Sequence, residues 1–393
     1  MKTIFSKILL NILLVISAGL FADAQTTSFK NLNGEIQTIQ KQLVPDKRVA
    51  ILDISLSDPL QPVLIVKGET NLPEGKIAII KLLKTNGFQF VDSIKVLPDA
   101  SLGDKTWGLV TLSASSMRSK PDHAAEMLSQ ALMGTPLKVL DHKGGWYRVQ
   151  TPDYYIGWME GSAFKRLTSA ELNGWKKSNR YIYKRIMGNV FASPSRKSEI
   201  VSDLVMGDLL EVESVTKGFL KVRFPDGRSG FVKKSDCLSW QKWTSQKPDV
   251  QAVISVAKQL MGVPYLWGGT SCKAVDCSGM TKTAYFSQGI ILARDASQQA
   301  RYGEHPDFND IPNLAPGDLL FFGRSAQRIT HVGLYLGNDK YINAAAGLVR
   351  INNINPKSPD FSASDRKDLV AAGRIMNSLN TEGIVLVKNH PWY

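Results

Sequence analysis

Asp276-Cys277-Ser278-Gly279 and the run Ile329-Thr330-His331-Val332-Gly333-Leu334-Tyr335-Leu336-Gly337, whose His331 lies 54 residues after that cysteine, decide the reading of this chain. Asp276 is a good helix N-cap, and Met280 and Ala284 give the following residues an inward face. Cys277 then falls in the first turn, where the helix dipole and unpaired N–H groups favour thiolate and receive a developing oxyanion. A free cysteine is also an ordinary small buried residue, so Cys277 alone leaves both readings open. The strand-like alternation of residues 329–336 puts His331, Gly333 and Tyr335 on one face. Asn343 follows twelve residues after His331 in the strand-like Lys340-Tyr341-Ile342-Asn343-Ala344. Cysteine, histidine and asparagine in that order suffice as nucleophile, base and orienter. A two-residue turn at Asn338-Asp339 would pair His331 with Ala346 and turn Asn343 away. An odd loop or a bulge pairs His331 with Ala345 and makes Asn343 its diagonal neighbour on the same face.

Working outward, Val250 to Met261 has helical apolar spacing and is stopped by Gly262 and Pro264. Gln241 to Pro248 reads as a linker before it. Two middle segments, 105–170 and 171–242, share a plan of short strands closed by a Gly-aromatic bend, Tyr155-Ile156-Gly157-Trp158 in the first and Ser229-Gly230-Phe231-Val232 in the second. Regular short strands separated by turns predict small barrels, with a β-rich spacer as the plainer alternative. Residues 25–104 read as a small α+β domain, with strands near Val49–Leu56 and Pro62–Gly68 and a short helix at Lys76–Leu83.

Residues 1–24 carry Lys2 and Lys7, the apolar run Ile8 to Leu20 and then Ala22-Asp23-Ala24, the order of a secretory signal cleaved before Gln25. The alternative, a membrane helix, needs a longer run than this one, which Asn11 interrupts. Three cysteines, Cys237, Cys272 and Cys277, are too few and too odd for a disulfide framework. Cys237 reads as a buried residue, and Cys272 as a packed one that could bridge to Cys277 under oxidation. The formal charge of +13 becomes +12 without Lys2, Lys7 and Asp23 (13 − 2 + 1). Its Lys and Arg are scattered, so nucleic acid is not expected and an acidic envelope surface is. His123, His142, His305 and His390 lack ligand spacing, and neither a metal nor another cofactor is expected.

Residues 248–393 resemble the NlpC/P60 family of papain-like cell-wall cysteine peptidases. The matching pieces are Tyr265-Leu266-Trp267-Gly268-Gly269, Asp276-Cys277-Ser278-Gly279, Arg294-Asp295-Ala296-Ser297-Gln298-Gln299, Pro316-Gly317-Asp318-Leu319-Leu320-Phe321-Phe322 and the His331 strand. The third catalytic position is often His in close relatives and is Asn343 here. The middle segments resemble bacterial SH3 domains, and the whole arrangement resembles γ-D-glutamyl-L-diamino acid endopeptidases. That resemblance implies an α+β papain-like domain behind two SH3-like barrels, acting on peptidoglycan stem peptides or muropeptides with a free N-terminal L-Ala. It implies a helical insertion over Met117–Gln130 and an amine pocket of Glu126, Tyr155, Tyr265, Asp276 and Ser278. An exported monomer in the periplasm or envelope is the expected form. A wall-binding protein with an idle cysteine, or an acyl or amide transferase on the same core, are the other readings.

Overall fold

The computed structural model describes residues 29–58, 63–345 and 347–393, so the segment read as a secretory signal and Ala346 lie outside the described residues. The chain divides into two compact units, up to Ser101 and from Leu102 onward. In the first, a helix over residues 29–43 (α1) and α2 (Pro73–Thr85) cover a sheet of β1 (Leu52–Leu56), β2 (Leu64–Thr70) and β3 (Phe90–Val96). Leu32, Ile36, Ile79 and Leu83 from the helices meet Leu52, Ile54, Leu64 and Val66 from the strands in one core.

The second unit starts with two seven-stranded sheets. One comprises β4 (Trp107–Val110), β5 (Ala114–Arg118), β6 (Met127–Leu132), β7 (Pro136–Lys143), β8 (Trp146–Gln150), β9 (Ile156–Glu160) and β10 (Phe164–Leu167). The other comprises β11 (Arg180–Tyr183), β12 (Met187–Phe191), β13 (Ile200–Val205), β14 (Leu209–Thr216), β15 (Phe219–Arg223), β16 (Ser229–Lys233) and β17 (Cys237–Ser239). Their strand orders are β10-β4-β7-β8-β9-β5-β6 and β17-β11-β14-β15-β16-β12-β13, the same topology seven strands on. Each encloses its own apolar core, yet each ladder has two ends, so these are open SH3-like sheets where closed barrels were expected.

Two local expectations differ from the structure. Residues 119–126 join β5 to β6 as a hairpin loop instead of a helical insertion. Asp122 turns the chain there by accepting from Ala124 N at 2.8 Å, and Ser119 N closes the loop on Glu126 O at 2.9 Å. The expected linker begins with a helix, α4 (Trp240–Ser245), because Ser239 caps it and Trp243 is buried. Between the sheets, α3 (Ser169–Lys177) starts at a capping box in which Thr168 and Glu171 satisfy each other's backbone N–H groups.

The remaining elements are α5 (Val250–Gln259), β18 (Thr270–Ser271), β19 (Ala274–Val275), α6 (Cys277–Phe286), β20 (Ile290–Leu292), α7 (Ala296–Gln299), β21 (Leu319–Gly323), β22 (Ile329–Gly337), β23 (Lys340–Ala345), β24 (Leu348–Asn353), α8 (Ala363–Asp368), β25 (Leu369–Gly373) and β26 (Ile384–Leu386). A five-stranded sheet of order β24-β23-β22-β21-β25 packs Val332, Leu334, Ile342 and Val349 against Val253, Ala257, Met280 and Ala284 of α5 and α6. All three cysteines are buried and unbridged. Among the described residues no helix is long and apolar enough to cross a membrane.

A shared core joins both SH3-like sheets to this last region through Leu109, Trp175, Leu209, Trp243, Ile291 and Val387. Residues 390–393 extend it. Trp392 meets Trp107 edge-on at 5.4 Å between ring centroids. His390 Nε2 lies 2.9 Å from the Pro152 carbonyl, which can only accept, while His390 Nδ1 accepts from Trp392 N at 3.3 Å. The ring is therefore neutral, with its proton on Nε2. Burial, partly offset by the Pro152 carbonyl, lowers its pKa below the usual 6.5. Below pH 6.5 the unfolded chain binds a proton that the folded ring resists, so stability falls as pH drops from there to the folded value. His390→Gln removes that contribution. The Tm advantage of the wild type over the variant is expected to shrink between pH 7.5 and pH 5, as a thermal-melt series at both pH values would read.

Candidate active site

Asp276 caps α6 as its sequence predicts, with Oδ1 accepting from Gly279 N at 2.7 Å. Its Oδ2 accepts from Gly268 N at 3.0 Å, so one carboxylate fixes both the helix start and the turn before it. Gly279 packs so closely on that turn that a Cβ there would lie 1.9 Å from Gly269 O. Cys277 thereby sits at the start of α6, 8% exposed, with Val332 N–H and Ser278 N–H as backbone hydrogen-bond partners of its sulfur. The helix terminus does not make it a thiolate. Burial, reinforced by the Asp276 charge, outweighs those N–H groups and Arg294, and the thiol is pushed up to about 11.

The hairpin carrying the other two residues uses a two-residue turn and corrects its register with a bulge. Asn338 and Asp339 have φ of 51° and 62°, a left-handed pair suited to such a turn. Gly337 pairs with Lys340, but a shift at Leu336 leaves Tyr335 opposite Tyr341 and Leu334 opposite Ile342. That register continues to Gly333 opposite Asn343 and His331 opposite Ala345, the arrangement the triad requires. Gly333 leaves the space: a Cβ there would meet the Tyr341 ring at 2.7 Å and the Asn343 Cβ at 3.3 Å. Asn343 is 1% exposed, and its Oδ1 lies 3.1 Å from His331 Nε2. Its Nδ2 donates to Asn352 Oδ1 at 3.0 Å. With Oδ1 able only to accept, Nε2 carries the proton and Nδ1 is the basic nitrogen of His331.

Arg294 is the residue that sequence reading passed over. It is 1% exposed and grips Asp276 with two nitrogens, at 2.5 Å to Oδ2 and 3.2 Å to Oδ1. The same guanidinium donates to Ser278 Oγ at 3.0 Å and to Ser129 Oγ of β6 at 3.0 Å. Burial opposes its charge, and Asp276 more than restores it, so its pKa is raised. Asp276 and Ser278, expected in an amine pocket, are thus 5% and 3% exposed and already engaged. Four N–H groups on one carboxylate fill its acceptor sites.

The other expected pocket residues lie along the seam between the first SH3-like sheet and α6. Glu126 is exposed and accepts from Trp267 Nε1 at 2.8 Å. Tyr155 is 4% exposed and donates its hydroxyl to Asp295 Oδ2 at 3.1 Å, so it meets the seam through a carboxylate that sequence reading had quoted without a role. Burial, with the neighbouring Cys277 and Asp276 charges, pushes the Tyr265 phenol up to about 12, which keeps it a hydrogen-bond donor. Gln130 and Thr270 exchange three hydrogen bonds, and Lys282 of α6 pairs with Asp153 at 2.7 Å. Ser129 comes from the first SH3-like sheet and Glu126, Asp153 and Tyr155 from its loops, so that sheet and its loops form one wall of the region. No group of metal-ligating side chains occurs among the described residues.

The NlpC/P60 family matches residues 262–361, and the bacterial dipeptidyl-peptidase SH3 domain matches residues 117–164. A γ-D-glutamyl-L-lysine dipeptidyl-peptidase of Bacillus cereus is 30% identical over 253 residues, covering 61% of this chain and 73% of the relative. Dipeptidyl-peptidase 6 of Lysinibacillus sphaericus is 26% identical, covering 69% of this chain and 98% of the relative. The crystal structure of an NlpC/P60 family protein from Bacillus cereus shares the fold with a TM-score of 0.60 at 23% identity, over 68% of this chain and 99% of that one.

Two outcomes follow from the charges at this site. Arg294→Met strands the buried Asp276 carboxylate and is expected to lower stability by about 3–5 kcal/mol in chemical denaturation. Alkylation of Cys277 by iodoacetamide, followed by mass spectrometry, is expected to be slow at pH 7 and to keep accelerating above pH 9. A plateau by pH 7 would mean a resting thiolate instead.

Proposed function

Because this chain belongs to the NlpC/P60 family, and is a peptidase, we propose that it is an exported cysteine peptidase cleaving the γ-D-Glu–L-diamino acid bond of peptidoglycan stem peptides that carry a free N-terminal L-Ala. The observation that carries the catalytic part is the 3.1 Å contact between His331 Nε2 and Asn343 Oδ1, which leaves Nδ1 as the base. Cys277 gives its Sγ proton to His331 Nδ1 as sulfur bonds to the γ-carbonyl carbon. The backbone N–H of Cys277, at the start of α6, receives the oxyanion. Collapse breaks the C–N bond, and the imidazolium returns its proton to the leaving amine. Water, deprotonated by His331, then attacks the thioester, releases the D-Glu γ-carboxylate and restores the thiol.

For the substrate's ammonium group, the carboxylates with exposure to offer are Glu126 and Asp295, whose side chain is 29% exposed. Tyr155 acts through Asp295, and Trp267 holds Glu126. Asp276 and Ser278 contribute by fixing the thiol's helix. The names of the relatives support the dipeptidyl and γ-D-glutamyl character of the reaction. The basic net charge and the apolar run at Ile8–Leu20 support export toward an acidic envelope.

Cys277→Ala is expected to abolish release of L-Ala-γ-D-Glu from L-Ala-γ-D-Glu-L-Lys, measured by chromatography; undiminished release would refute the mechanism. Acetylating the substrate's N-terminus, or Glu126→Gln on the free substrate, is expected to raise KM about tenfold or more, the size of one charge-assisted hydrogen bond. Equal KM for both substrates would remove the free-amine requirement and leave the peptidase reading standing.

A further inference from the structure

The amide of Asn343 has two faces, and only one of them supports the base. With Oδ1 toward His331, Nε2 must be the protonated nitrogen and Nδ1 the basic one. Turned by 180°, the same side chain would offer Nδ2–H to Nε2, and the proton would move to Nδ1. An Nδ1–H imidazole cannot accept the thiol proton there. Nothing in the His331–Asn343 pair itself chooses between these two states.

The choice is made one strand further on. Asn352 lies on β24, opposite Tyr341, and is the diagonal neighbour of Asn343 on the same sheet face. Its Oδ1 accepts from Asn343 Nδ2 at 3.0 Å. Asn343 is 1% exposed, so with Asn352 as the structure places it an amide turned the wrong way would set its buried oxygen against the Asn352 oxygen, and the two amides could turn only together. We infer that Asn352 is a positioning residue for His331, acting through the orientation of the Asn343 amide. The inference rests on the Cys277–His331 reading above and adds a fourth member to the relay. Asn352 touches neither thiol nor imidazole. With its oxygen toward Asn343, it keeps the His331 proton on Nε2.

Three variants test this, with kcat and KM measured on the tripeptide between pH 5 and pH 9. Asn352→Leu removes the acceptor and is expected to lower kcat about 10–100-fold, with KM within twofold. Asn352→Asp can only accept, so it is expected to hold the productive direction and retain wild-type kcat. The third arm uses Asn343→Asp, whose two carboxylate oxygens have no wrong face. In that background Asn352→Leu is expected to cause no further loss of kcat, whereas a purely structural contribution of Asn352 would persist. Full kcat in Asn352→Leu, or an equal loss in both backgrounds, overturns the inference. Persistent hydrolysis by Cys277→Ala would instead overturn the reading beneath it, so the two failures are distinguishable. Should Asn352→Leu fold poorly, the Asn352→Asp value decides alone, because a loss of kcat there contradicts an acceptor-only requirement.

Discussion

A buried guanidinium–carboxylate pair, Arg294 with Asp276, holds this molecule's working parts in register. Neither charge could stay buried without the other, since an uncompensated ion in the interior is strongly destabilising. Asp276 caps α6 and ties down the Gly268 turn, and Arg294 reaches across to Ser129 of the first SH3-like sheet. One ion pair therefore couples the helix that carries Cys277 to the sheet that carries Glu126 and Tyr155. The arrangement has a chemical consequence. A carboxylate spent on a buried arginine has little attraction left for an ammonium group, which is why the proposed amine recognition falls to the rim.

The second constraint is a single residue of register. A hairpin with a two-residue turn and no irregularity would send His331 and Asn343 to opposite faces. The bulge at Leu336 restores them to one face while keeping the tight turn at Asn338-Asp339. Bulges near functional sites commonly re-aim a side chain in this way. Here the re-aimed residue is Asn343, and the missing side chain of Gly333 gives it room to reach the imidazole. Deleting or adding one residue in this hairpin would separate base from orienter without touching either.

Much of this was legible in the sequence because it is local. The cap at Asp276, the helical spacing of Val250–Met261 and the alternation of residues 329–336 are written in consecutive residues, and all three recur in the fold. The geometric condition on Asn343 was legible too, since strand periodicity is strict. What escaped was long-range. Tyr155 reads as a pocket tyrosine until Asp295, 140 residues away, takes its hydroxyl. Arg294 heads one of the matching motifs but carried no role there, because its partners Asp276, Ser278 and Ser129 are brought to it only by the fold. The helical insertion over Met117–Gln130 was implied by resemblance alone, whereas in this chain Pro121 and Asp122 close a hairpin turn at 119–126. Asn352 gave no signal at all, because its role depends on being diagonal to Asn343 across a strand pair.

The ionisation of Cys277 shows how two correct local arguments combine to a different result. A helix N-terminus lowers a thiol pKa, and that argument holds for an exposed cysteine. Here the same helix start carries the Asp276 charge and is buried, and both push the thiol up to about 11. In the proposed mechanism a neutral thiol is not a preformed nucleophile, and its proton leaves as sulfur attacks. The rate then depends less on how much thiolate exists beforehand than on whether the imidazole presents a lone pair at that moment. Under that mechanism the histidine's tautomer is a condition of reaction, and the amides running from β24 to β22, oriented as they are, match it.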